Sequence, residues 1–122
     1  MSVLAGIRWV RILIGGFLAE VVVIAVVVPI SFALGQNSML YTAPVGSLVA
    51  CFALALWVGR GLDSGFVLHG VLVGVVATLI YIALTRAQPE PFAYVLAHVL
   101  KILGGAAGGF VAGRLRGVTA AA

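Results

Sequence analysis

The sequence predicts an all-α fold, a bundle of four helices that each cross a membrane. Three observations carry that expectation. Hydrophobic residues make up 64% of the chain, and only seven basic and three acidic residues occur among 122. Most of those charges fall at the ends of four apolar runs. Each run lies within or near the roughly 17–25 residues that cross about 30 Å of hydrocarbon. With short links, the four runs use nearly the whole length, leaving no separate soluble domain for an active site, a nucleotide or a nucleic acid.

The first run extends from about Val10 to Leu34, with Arg8 and Arg11 flanking its start. Pro29 is expected to kink its outer third. Ala33-Leu34-Gly35 before Gln36 offers the small residues of a cleavage site. The apolar stretch after Arg11 exceeds the roughly 7–15 residues of a signal peptide, so a retained signal-anchor is expected. The second run covers about Ala43 to Gly59, with Pro44 near its start, where a missing N–H costs little. The third spans about Gly65 to Thr85, with Asp63-Ser64 placed to cap it. The fourth spans about Phe92 to Gly113, behind Pro91. Backbone groups in lipid must be satisfied within their own segment, which makes these runs helices. Barrel strands would be nearer ten residues and would alternate polar with apolar.

With four crossings, Arg8, Arg11, Arg60, Arg114 and Arg116 fall on one face, and Arg86 with Glu90 on the other. The positive-inside rule places both termini in the cytoplasm of a plasma-membrane protein. Trp9 and Trp57 mark the cytoplasmic interface, and Tyr41 and Tyr94 the outer one. The net charge of +4 therefore belongs to flanking anchors and not to a nucleic-acid patch. Cys51 is the sole cysteine and lies inside an apolar run, which excludes an intrachain disulfide and a cysteine-based metal site. It reads as a small core residue.

The two halves of the chain resemble each other. Gly16-Phe17-Leu18-Ala19-Glu20-Val21-Val22 aligns with Gly70-Val71-Leu72-Val73-Gly74-Val75-Val76, and Val58-Gly59-Arg60 with Ala112-Gly113-Arg114. Ala43-Pro44-Val45 falls on Ala97-His98-Val99 at the same offset. A tandem duplication of a two-helix hairpin is expected, with units at about 10–60 and 64–114. Two crossings per unit make the halves parallel, about an axis along the membrane normal. Each half has one polar intruder that its copy lacks: Glu20 falls opposite Gly74, and Lys101 opposite Ser47.

Lipid tails give helices no hydrophobic reason to associate, so small residues must let them approach closely. Helix four has Gly105, Gly109 and Gly113 on one stripe and Gly104, Gly108 and Ala112 on the next. Helix three adds Gly70 and Gly74, and helix one adds Gly15 and Gly16. One stripe suffices for the chain's own bundle. The second reads as an interface with another copy or another membrane protein, unless both serve the bundle itself.

The stretch Phe66-Val67-Leu68-His69-Gly70-Val71-Leu72-Val73-Gly74, followed by the glycines of helix four, resembles a family of small, uncharacterised bacterial membrane proteins with four helices. In that family the third helix reads LHG-x-L-x-G and the last is glycine-rich. The resemblance implies the four-helix fold and a bacterial inner membrane. It implies no activity.

An ionisable residue deep in a membrane helix is a functional candidate, because inserting it costs about 2.5–3.5 kcal/mol. Counted from Arg11, Glu20 lies about 14 Å deep; counted back from Arg114, Lys101 lies about 20 Å from the same face. Three readings stand beside one another: a structural ion pair between helices one and four, a snorkelling Lys101 with a protonated Glu20, or a proton or cation site. His98, one turn from Lys101, either extends a polar track outward or is satisfied by interfacial water. His69 is expected to hydrogen-bond a neighbouring helix. It stands at the opposite depth from His98, which excludes a shared metal site.

Leu18-Ala19-Glu20 is similar to the membrane glutamate of the small multidrug-resistance exporters, which share this size and layout. Their mid-chain aromatic motif is missing here, and Lys101 would compete with a cationic drug. The signatures of the small fluoride channels are also missing. No nucleophile–base pair or metal-ligand set is visible, and Ser47 and Thr78 read as packing residues, so neither an enzyme nor a cofactor is expected. The leading expectation is a non-enzymatic structural or accessory protein assembling through its glycine faces. The alternative is a small oligomeric channel or ion- or proton-coupled transporter using Glu20 and Lys101.

Overall fold

A computed structural model describes residues 7–86, 88 and 92–121, with the backbone alone for 118–121. Its helices are α1 (Trp9–Leu34), α2 (Met39–Gly59), α3 (Phe66–Thr85) and α4 (Phe92–Ala121), and a 3-10 turn, Gln36–Ser38, joins the first two. All four are long and apolar enough to span a membrane. Their outward faces carry exposed Phe17, Val49, Leu79 and Phe110, the surface of a bundle solvated by lipid. Glu90 and Pro91 lie outside the described residues.

The boundaries differ from expectation at three places. α2 begins at Met39, a turn before Ala43, and Thr42 Oγ1 donates to Ser38 O at 3.0 Å within that extra turn. Pro44 thus sits inside the helix, where its ring nitrogen leaves the Leu40 carbonyl without an intrahelical donor. The start of α3 is capped by neither Asp63 nor Ser64. Gly65 takes that position with φ +68°, a left-handed conformation suited to glycine, and no side chain caps it. Asp63 instead pairs with Arg116. α4 runs through Gly113 to Ala121, because no proline stops it and Arg116 ties its end to the α2–α3 link.

α1 and α4 each pack on both α2 and α3, but their backbones do not approach each other. The order around the bundle is therefore α1, α2, α4, α3, with α1 and α4 on a diagonal. Like helices of the two hairpins are neighbours, α1 beside α3 and α2 beside α4. A central axis along the membrane normal would set them at opposite corners, so the expected axis does not describe this bundle.

The glycines explain the arrangement. A methyl at Gly104 would lie 2.5 Å from the Leu48 carbonyl oxygen, and one at Gly108 would strike the Phe52 carbonyl, both on α2. On the adjacent stripe, Gly105 and Gly70 pass so closely that a methyl on either would strike the other's carbonyl. Gly109 rides on the Phe66 carbonyl, Gly113 on the Phe66 ring, and Gly74 on the Lys101 carbonyl. Gly15 and Gly16 make room for Val58 and Val76. Both stripes of α4 are thus occupied within this chain, so the second, read as an outward interface, faces α2.

The end of the bundle that carries Arg8, Arg11, Arg60, Arg114 and Arg116 is closed by side chains bonding backbone. Arg11 donates to Trp57 O at 2.8 Å and lies 4.5 Å above the Trp57 ring, satisfying a terminal carbonyl of α2. Arg116 donates to Leu62 O at 3.1 Å and to Asp63 at 2.6 Å. His69, buried, accepts the Arg8 backbone N–H at Nε2 (3.1 Å) and donates from Nδ1 to Gly65 O (2.7 Å). It clips the start of α1 to α3. Beneath these contacts Val58, Leu62 and Val73 form a closed core.

Candidate functional site

Glu20 projects from α1 and Lys101 from α4, each only 2% exposed. Lys101 Nζ donates to Glu20 Oε1 at 2.6 Å. Because α1 and α4 stand on a diagonal, this bond crosses the centre of the bundle. Small residues make the crossing possible, since Ala19, Cys51, Ala77 and Ala97 are all buried around it. Charges at this depth persist only when paired, because removing either ion from water costs several kcal/mol. The pairing belongs to two of the three sequence readings, the structural ion pair and a site at Glu20 opposed by Lys101; the snorkelling Lys101 is not observed.

The pair lines a cavity of about 160 Å³ in the half of the bundle away from Arg8, Arg11, Arg60, Arg114 and Arg116. Ser47 of α2 joins Glu20 and Lys101 at its deep end, and Val23, Val27, Met39 and Ala43 supply apolar wall. The positions that the expected duplication would pair meet here. Glu20, Lys101 and Ser47 face one cavity, and Gly74 touches the Lys101 backbone. Among the described residues, Glu20 Oε2 and Ser47 Oγ are buried without a hydrogen-bond partner. Such an atom costs about 1–3 kcal/mol unless something satisfies it.

The remaining wall is aromatic. Lys101, His98 and Tyr94 follow one face of α4, and Tyr81 of α3 lies against all three. Its ring centroid is 5.1 Å from Lys101 Nζ, 4.8 Å from the His98 ring and 6.0 Å from Tyr94, edge-on. Tyr94 donates its hydroxyl to Met39 Sδ at 2.8 Å at the outer rim. His98 therefore belongs to the same wall as Lys101, joined through the Tyr81 ring. Tyr94, expected in an interfacial belt beside Tyr41, turns into the bundle, while Tyr41 is 74% exposed.

Sequence reasoning missed Tyr81 and placed Ser47 among packing residues. A signal for Tyr81 existed. It stands about 22 Å into α3 from Phe66, well short of the far interface, where a hydroxyl needs a polar surrounding. Ser47 carried no distinguishing signal, since serine in a membrane helix commonly serves packing. The predicted glycines all lie in helix contacts, and His69 lies in the arginine-bearing half, far from this cavity.

Together the residues that line the cavity carry one carboxylate (Glu20), the hydroxyls of Ser47, Tyr81 and Tyr94, the His98 ring and the N–H donors of Lys101. The protein is thus an integral, multi-pass membrane bundle with a polar-ended cavity between its helices. No family model matches the chain, nor does any curated protein or solved structure.

Proposed function

We propose that this membrane protein is a small-solute transporter that holds its cargo in the cavity at the Glu20–Lys101 pair. The observation that carries the reading is a buried carboxylate oxygen and a buried hydroxyl, both without a partner, on two residues that line one cavity. A bundle that served only as a scaffold has no use for them. Well-packed apolar residues in place of a buried ion pair are often neutral or stabilising by about 1–4 kcal/mol.

The five arginines support placing their end in the cytoplasm, so that the cavity occupies the outward half. Val58, Leu62 and Val73 then close the inward half. The ion pair links two helices whose backbones do not approach, so remaking that link is the step that would let the halves exchange access. The accessory reading has lost its ground in the glycine stripes of α4, because α2 and α3 fill both.

Solute flux tests the proposal. Stopped-flow light scattering on sealed proteoliposomes follows the uptake of a panel of solutes of about six heavy atoms, the size that a cavity near 150 Å³ accommodates. Wild-type protein should speed the uptake of at least one. The Glu20→Gln/Lys101→Met double variant, shown folded by circular dichroism, should match bare lipid. Identical rates for wild type, double variant and lipid across the panel would return the chain to a structural role.

A further inference from the structure

We infer that the cavity selects an uncharged solute of about six heavy atoms, with a donor–acceptor head such as a primary amide and a short apolar body. The inference rests on the transporter reading and adds the class of cargo to it. Size comes from the cavity volume of about 160 Å³, close to the 150 Å³ apolar cavity that holds a benzene ring.

Charge comes from the pair. Glu20 and Lys101 neutralise each other at 2.6 Å, so the deep end of the cavity carries no net charge. A cation beside Glu20 competes with Lys101, and an anion beside Lys101 competes with Glu20. Either would bring an uncompensated ion into a low-dielectric site. An uncharged head avoids that cost and leaves the pair intact.

The shape of the head comes from what is left over. Glu20 Oε2 accepts only, Ser47 Oγ donates and accepts, and Lys101 Nζ retains N–H groups beyond the one given to Glu20. A primary amide matches this set, with N–H directed to Glu20 Oε2 and a carbonyl receiving Lys101 or Ser47. Val23, Val27, Ala43 and Ala97 offer the body nothing but apolar surface.

Three probes of similar size separate the alternatives: butyramide, butyrate and n-butylammonium. Each is titrated into the full-length protein in nanodiscs while the ¹⁵N resonance of the Lys101 ammonium reports binding at the site. Butyramide should shift that resonance with a Kd at least tenfold below either charged probe. Ser47→Ala should weaken it about five- to tenfold, the loss of one hydrogen bond. Ala97→Leu, which fills the cavity, should abolish the shift.

Tighter binding by butyrate or butylammonium would overturn the uncharged class while the transporter reading stands on its flux result. A resonance unmoved by all three probes would overturn the class as well. If flux were also absent, the transporter reading would fall with it. Full butyramide affinity in Ser47→Ala would remove Ser47 from the recognition and overturn the donor–acceptor assignment.

Discussion

The two halves of this bundle are built from the same helices and solve opposite problems. In the arginine-bearing half, helices approach to backbone contact at Gly70, Gly105 and Gly109, and Arg11, Arg116 and His69 tie their ends together. In the other half the same helices stand apart around a cavity with an ion pair at its deep end. The change follows the glycines. In α4 they begin at Gly104, one turn from Lys101, and none occurs between Phe92 and Leu103. In α3 none follows Gly74. Where glycine stops, side chains hold the backbones apart, and the room so made is where the polar groups gather. Cohesion and chemistry are thus separated along the membrane normal.

The largest expected effect comes from breaking the pair on one side. Lys101→Met leaves Glu20 buried without its partner and should cost about 3–5 kcal/mol. Adding Glu20→Gln should recover most of that loss, as read from unfolding in mixed detergent. A single variant as stable as wild type would mean that the far half tolerates a lone carboxylate, and the contrast between the halves would soften.

Gly105→Ala probes the other half. Its methyl would strike the Gly70 carbonyl, and the resulting separation of α3 from α4 should cost about 1–3 kcal/mol. Gly46→Ala is the control. Beyond its own helix backbone and chain neighbours, no atom lies within 4 Å of a methyl there, so it should do no more than stabilise the helix by up to about 1 kcal/mol. Equal effects at the two sites would refute close approach as the source of cohesion.

Asp63→Asn should matter least. Its bond to Arg116 is short at 2.6 Å, yet the Asp63 side chain is 83% exposed, and exposed pairs contribute about 0–1 kcal/mol. Thermal unfolding in detergent should shift little with the variant or with added salt. A large shift would move the lock of the arginine-bearing half from backbone contacts to surface charge.

Much of this was legible in residue order. The span of α1 matches its apolar run within a residue, and Glu20 and Lys101 stood out as the ionisable residues deep in the spans. Their pairing followed from similar depth. The wrong cap at α3 shows where such reading stops. Asp63-Ser64 has suitable chemistry for an N-cap, but Gly65 in the left-handed region moves the helix start past them, and Arg116 claims Asp63. The outward role given to the second glycine stripe failed for a related reason. A stripe announces that something packs closely on it and does not say whether the neighbour belongs to the same chain.

The sequence by itself determined the solvent, the number of spans, the end that carries the arginines and the depth of each polar residue. All of these follow from one-dimensional patterns of hydropathy and charge, because the bilayer imposes a single axis along which cost varies. Only the tertiary structure decided what lies around that axis. It set α1 diagonal to α4, turned Tyr81 and Ser47 toward the pair, and left a cavity among them. Those outcomes depend on which helix faces which, and that is decided by the fit of backbone against glycine between residues distant in the chain.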